Sequence, residues 1–148
     1  MQKDNLEPKN IPVNEYSLWT YEKLRYADTD RQGHVNNAIF ATMLETGRVE
    51  LLYNPAAPLH DQGCTFVIAS LHLDLHAEIT WPGNVDIGTR IATVGRSSLT
   101  IEQALFQNGI CAATARTVIV QTNASSHHSQ PLTEAAVLRL KDLIVAIP

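Results

Sequence analysis

The sequence predicts an α+β domain in which a long central helix is wrapped by a curved antiparallel sheet of about five strands. Three observations carry this expectation. Residues 37–53 place apolar side chains at helical spacing, and on more than one stripe. From Thr65 to Thr122 the apolar period changes to two, the signature of half-buried strands. Asn108-Gly109 within that region is the strongest hairpin signal in the chain. A helix that is apolar on several faces needs a sheet curled round it, because each face must find cover.

Taken in order, residues 1–15 mix Lys, Asp, Asn and Pro without periodicity and read as a flexible N-terminal arm. Residues 16–148 hold no linker, repeat or low-complexity tract and read as one domain. Leu18 to Tyr26 alternates as a strand. Asn37 to Tyr53 is the helix: Phe40, Met43, Leu44, Gly47 and Leu51 follow one stripe, while Ala38, Val49 and Leu52 lie on other faces. Asn36 or Asn37 can cap its start, and Asn54-Pro55 stops it. Phe66 to His76 is a strand with Leu71, Leu73 and Leu75 on one face and His72, Asp74 and His76 on the other, and Ala77 to Thr80 is its possible continuation. Trp81-Pro82-Gly83 reads as a turn, followed by strands over Asn84–Gly95, Leu99–Phe106 and Ile110–Thr122. Pro131 to Ile147 reads as a C-terminal helix.

Composition excludes several function classes. The net charge is −4 with no clustered Lys and Arg, so no nucleic-acid surface is expected, although a few local arginines can still hold phosphate. The chain has no run of about 18 apolar residues and its first residues lack a signal-peptide core, so neither membrane insertion nor export is expected. The two cysteines, Cys64 and Cys111, form no CxxC or CxxH pattern, which argues against a disulfide framework or zinc and for a cytoplasmic setting.

The chemistry concentrates in Tyr26–Phe40, which leads from a strand end through a polar loop to the helix start. Two carboxylates, Asp28 and Asp30, stand with Gly33, His34, Asn36 and Asn37 beside backbone N–H groups that have no intrahelical partner. A helix start can hold a developing oxyanion, and a nearby carboxylate can attack a carbonyl or activate water. The plainer alternative is that Asp28 or Asp30 only caps the turn or pairs with Arg31; of the two, Asp28 reads as the one that holds the loop.

The motifs Tyr26-Ala-Asp-Thr-Asp, Gly33-His34-Val35-Asn36-Asn37-Ala38 and Leu44-Glu45-Thr46-Gly47-Arg48 resemble the 4-hydroxybenzoyl-CoA thioesterase-like branch of the hotdog superfamily. Leu73-Asp74-Leu75, Gly95-Arg96-Ser97-Ser98-Leu99-Thr100 and Asn108-Gly109 extend the resemblance over roughly residues 16–145. It implies a hotdog fold and hydrolysis of an acyl-CoA or acyl-carrier-protein thioester. It also implies a homodimer or homotetramer with sites at the subunit interface, and no metal or bound cofactor. In the family the second Asp of the motif is the catalytic carboxylate, which falls here on Asp30. The residue opening the helix polarises the carbonyl through its N–H, which falls on Asn37. A sister branch carries its acid at the position of Glu45; the plainer reading of Glu45 is a buried pair with Arg48 three residues on.

His34 and Glu45 complete the candidate catalytic set. Gly33, Asn36, Arg90, Arg96 and Ser98 form the candidate substrate-binding set, the arginines because the family binds CoA phosphates in that strand region, where Arg116 also lies. Gly33 is expected to permit a positive φ or a close ligand approach. His72-x-Asp74-x-His76 invites a metal reading, but residues alternating along one strand diverge, and a polar sheet face is the expectation. The leading expectation is an acyl-CoA thioesterase. The rivals are a non-catalytic acyl-CoA-binding module and a hotdog dehydratase or hydratase, whose His-Phe-Pro type of motif is absent.

Overall fold

The fold was described from a computed structural model, in which residues 11–146 are described. The elements run β1 (Leu18–Lys23), a 3-10 turn (Tyr26–Asp28), α1 (Asn37–Leu52), β2 (Cys64–Leu75), β3 (Asn84–Val94), β4 (Ser98–Gln107), β5 (Ile110–Asn123) and α2 (Glu134–Lys141). The five strands form one antiparallel sheet in the order β1-β3-β4-β5-β2. This is the α+β architecture that the helical and period-two patterns predict. The chain order does not predict that β2 crosses to the far edge.

The helix start follows from Asn36, which is extended (ψ 139) and accepts Ala38 N–H on its side chain at 3.0 Å. From there Phe40, Met43 and Leu44 pack with Ile79, Val85, Ile87 and Leu105 in one core cluster. Leu51 and Leu52 pack with Ile91, Leu99, Ile101, Ile119 and α2 residues Ala136 and Leu140 in a second. Each such side chain contributes about 1.5–3 kcal/mol when fully buried. Gly47 sits between the clusters and lets the helix approach the sheet closely.

Only one side of α1 is covered in a single chain. Leu52 is buried as part of the core, whereas Ala38 and Val49 are exposed. The sheet also leaves β2 exposed along most of its length, with Ile68, Leu71 and Leu75 each more than two-fifths accessible.

Four boundaries differ from the sequence pattern by three residues or more. β1 ends at Lys23, not Tyr26, because the Asp28 carboxylate accepts Arg25 N–H at 2.8 Å and winds the chain into the 3-10 turn. Residues 77–80 do not extend β2. Buried Ile79 turns into the core, and Ile79 and Thr80 pair instead with the loop before α1. α2 spans Glu134–Lys141 and not 131–147, since Thr133 caps it by accepting Ala136 N–H at 3.1 Å. Its far end stops because Leu143 folds back to bury itself and accepts Ile91 N–H at 3.3 Å; residue 147 of the expected helix lies outside the described residues. The Asn108-Gly109 turn forms as expected, with φ of 51 and 77, the two positive values of a type I′ hairpin. Residues 1–10 of the expected arm lie outside the described residues. Within 11–15, Val13 C=O accepts Trp19 Nε1–H at 3.2 Å and Glu15 C=O accepts Arg90 Nη1–H at 2.9 Å.

Candidate active site

The loop between the 3-10 turn and α1 folds as a small hairpin. Thr29 pairs with Val35, and His34 pairs in turn with Thr80. Asp30 N–H donates to His34 C=O at 2.7 Å, and Gly33 N–H to Asp30 C=O at 3.1 Å. Gly33 closes the tip at φ +81; a Cβ there would meet nothing within 4 Å, so the positive φ and not crowding is what calls for glycine.

The two aspartates play different parts. Asp28 is 5% exposed, and Arg25 satisfies it through its backbone N–H (2.8 Å to Oδ2) and its guanidinium (2.9 Å and 3.2 Å to Oδ1). Asp28 C=O also accepts Asn36 N–H at 2.8 Å, which ties the turn to the helix start. Burial pushes the Asp28 carboxyl up, but the Arg25 N–H and guanidinium outweigh it and hold the pKa below the ordinary 3.8. The depressed value favours the fold above pH 3.8, and that contribution is lost as pH falls through the lower folded-state value. Thermal melts on the acid side are therefore expected to show a pH slope in the wild type that Asp28→Asn lacks. Equal slopes in the two proteins would remove Asp28 as the source.

Asp30 is exposed, and its carboxylate is oriented by the loop itself. Oδ1 accepts Gln32 N–H at 2.8 Å and His34 N–H at 3.1 Å. Oδ2 has no hydrogen-bond partner among the described residues. One oxygen is thus anchored while the other is available for chemistry. The turn-capping role that sequence offered as an alternative is present on Oδ1, and it leaves Oδ2 unused.

At the helix start, Asn36 N–H, Ala38 N–H and Ile39 N–H all have acceptors: Asp28 C=O, Asn36 Oδ1 and Asn36 C=O. Asn37 N–H has none among the described residues, and it lies at the positive end of α1. Asp30 and this N–H are carried by one short, cross-linked segment.

The other candidates separate into those near this segment and those far from it. His34 is beside Asp30, with its ring Nε2 3.0 Å from Glu78 Oε2. Glu45 is exposed on α1, about 12 Å along the helix from Asn37. The expected buried pair with Arg48 does not form. Arg48 is 5% exposed and its Nη1 donates to Gln103 Oε1 at 3.4 Å, which draws it toward the sheet while Glu45 stays in solvent. Burial lowers the Arg48 pKa, and the Glu45 charge opposes that.

Arg90 lies on the sheet face opposite α1. Its guanidinium stacks on Tyr16 (4.8 Å), lies 3.5 Å from Glu102 and bonds Glu15 C=O. Arg116 shares Glu102 at 3.3 Å. Arg96 and Ser98 sit at the β3–β4 turn. The far end of β4, where Gln107 holds Thr80, is about 30 Å away at about 3.3 Å per residue. One chain therefore does not bring Arg96 or Ser98 to Asp30. On β2 His72 turns to Asp74 (3.3 Å), and just past its end His76 turns to Thr114 (2.7 Å), as a polar sheet face does.

A cleft of about 160 Å³, lined by Leu18, Thr20, Gly47, Glu50 and Leu51 among others, opens between β1 and the C-terminal half of α1. It is about 20 Å along the helix from Asn37, so it does not belong to the Asp30 site. The sequence offered no signal for Glu78 or Gln107 as supports of the loop. It did carry one for Gln103, which shares a period-two face with Leu99, Ile101 and Leu105.

No curated protein matches the chain. A solved thioesterase complexed with coenzyme A and Zn from Thermus thermophilus is 27% identical, with a TM-score of 0.76 over 92% of this chain and 100% of that one. A protein described as a predicted thioesterase from Bacillus stearothermophilus is 26% identical, with a TM-score of 0.77 over 88% and 98%. The PA5185 protein from Pseudomonas aeruginosa strain PAO1, 24% identical with a TM-score of 0.80 over 90% and 96%, shares the fold. The hotdog expectation drawn from the motifs therefore holds. The sequence model of the thioesterase-like superfamily matches residues 24–140, most of the chain and all of the Asp30 loop, α1 and β2–β5, and the protein belongs to that superfamily.

Proposed function

We propose that the protein hydrolyses acyl-CoA thioesters to free acid and thiol. The observation that carries this reading is that one cross-linked segment carries both Asp30 Oδ2 and the Asn37 N–H at the helix start, neither with a hydrogen-bond partner among the described residues. The thioester carbonyl oxygen accepts from Asn37 N–H, which stabilises the oxyanion as the carbonyl carbon becomes tetrahedral; one such donor is worth about 3 kcal/mol. Asp30 Oδ2 either adds to that carbon, expelling thiolate and leaving an anhydride that water cleaves, or takes a proton from the attacking water. Either way one water is consumed, and acid and thiol leave. His34 and Glu45 shape the site, and Gly33 and Asn36 form the backbone next to the acyl group. Family membership supports thioester chemistry, and the coenzyme A complex of the Thermus relative supports CoA over a carrier protein as the thiol.

A second copy is part of this reading. β2 is an edge strand with Ile68, Leu71 and Leu75 exposed beside the uncovered side of α1, a surface that a soluble chain normally covers by pairing. A homodimer or homotetramer supplies the missing wall of the site and is the way Arg96 and Ser98 come near an acyl-CoA. No metal or cofactor has a step in it, and no described helix is long and apolar enough to cross a membrane. Hydrolysis rates across short, long and aromatic acyl-CoAs test the activity, with sedimentation velocity for the assembly. Turnover of at least one class by a dimer or tetramer is expected. Tight binding without turnover of any of them would instead make the protein an acyl-CoA-binding module.

A further inference from the structure

His34 couples Asp30 to a residue outside the loop. Its N–H donates to Asp30 Oδ1 and its C=O accepts from Asp30 N–H, so a shift of the His34 backbone moves the carboxylate with it. The surrounding backbone is set by β-type contacts: Val35 N–H donates to Ile79 C=O at 2.7 Å, and His34 pairs with Thr80. Thr80 is itself clamped by buried Gln107, which accepts its N–H at 3.0 Å and donates to its C=O at 2.7 Å. These contacts fix the backbone register, and none of them holds the imidazole, which lies at the tip of the hairpin next to Gly33 with its positive φ. The imidazole has one side-chain partner among the described residues, Glu78, with Nε2 to Oε2 at 3.0 Å.

Resting on the assignment of Asp30 as the catalytic carboxylate, we propose that Glu78 is a positioning residue for Asp30, acting through His34. The Glu78 carboxylate accepts Nε2–H, selects that tautomer of the neutral ring and ties the hairpin tip to the segment carrying Thr80. The two side chains are 30% and 68% exposed, so the pair adds little to global stability. Its effect is local. A misplacement of about 1 Å at a reacting group can cost about 100-fold in rate, so a loosened hairpin shows in kcat before it shows in Tm.

The experiment compares wild type, Glu78→Ala and Glu78→Gln in steady-state kinetics, thermal melting and nitrogen NMR of the His34 ring at alkaline pH. Glu78→Ala is expected to lower kcat by about tenfold or more, with KM and Tm close to wild type. Its His34 ring is expected to show a mixture of tautomers where wild type shows Nε2–H. Glu78→Gln, which keeps an acceptor oxygen, is expected to restore most of the rate and the wild-type ring pattern. Wild-type kcat in Glu78→Ala, the same ring pattern in Glu78→Ala and wild type, or a Glu78→Gln protein as impaired as Glu78→Ala would each overturn the proposal. If Asp30→Asn turns over as fast as wild type, or wild type turns over nothing, the catalytic reading of Asp30 fails by itself. The His34 ring pattern still decides whether Glu78 holds the loop.

Discussion

Replacing Asp30 by Asn is expected to lower thioester hydrolysis by about 10²–10⁴-fold, the range that a positioned acid–base group contributes, while leaving the fold unchanged. The two effects separate because of how the carboxylate is held. The Asn side-chain oxygen can still accept Gln32 N–H and His34 N–H, so the hairpin keeps its caps. What disappears is the negative Oδ2, which alone can add to the carbonyl or take a proton from water. Steady-state rates on the best acyl-CoA, with circular dichroism as a control for folding, make the measurement. An Asp30→Asn protein as fast as wild type would transfer the role to Glu45, the next carboxylate along α1. Single-turnover hydrolysis in oxygen-18 water then tests the covalent route, because label enters the Asp30 side chain only if an anhydride forms and water cleaves it at the Asp30 carbonyl.

Gly47→Ala is expected to destabilise the protein by about 1–2 kcal/mol despite the better helix propensity of alanine. The added Cβ would lie 2.7 Å from Gln103 Nε2, 2.9 Å from Ile87 Cγ2 and 3.1 Å from Thr89 Oγ1. Gln103 is poorly placed to yield, since Nε2 donates to both Leu44 C=O and Thr89 Oγ1 at 3.0 Å and Oε1 accepts from buried Arg48. Overpacking of this kind costs about 1–3 kcal/mol, against about 1 kcal/mol gained from removing a helical glycine. The close contacts win because moving Gln103 also strips a buried guanidinium of its acceptor. Urea midpoints at fixed protein concentration read the difference, concentration being held because assembly shifts apparent stability. The Gly47→Ala, Gln103→Ala double variant is expected to lose less than the sum of the singles. A Gly47→Ala protein more stable than wild type would mean that the helix and sheet are not so closely packed.

The residues of the candidate site were legible because they are local. Asp28, Asp30, Gly33, Asn36 and Asn37 fall within a few positions of one another, and their geometry follows from turn and cap rules that span no more than four residues. Gly33 takes the positive φ that its place in the loop suggests, and Asn36 caps the helix as its residue type suggests. Sequence reads Asp28 as holding the loop, and the structure supplies the physical reason. Both precede the same helix, and it is the 3-10 turn that buries Asp28 against Arg25 and leaves Asp30 in solvent. The pairing of Glu45 with Arg48 failed for a related reason. Spacing makes the two neighbours on a helix, while the sheet beneath decides which of them is drawn in, and Gln103 draws in Arg48.

By itself the sequence determined the long helix, the period-two strands and their hairpin, and the loop that couples a carboxylate to a helix start. Each of these is encoded in the spacing of adjacent residues, where backbone geometry converts order directly into direction. The tertiary structure alone decided that β2 lies at the far edge beside β5, leaving its apolar face and one side of α1 uncovered. It alone brought Glu78 to His34 and Gln107 to Thr80, and it alone put Arg96 and Ser98 at the other end of the sheet. The physical reason is that strand order and long-range contacts depend on which apolar faces bury one another in three dimensions, and no spacing along the chain records that choice.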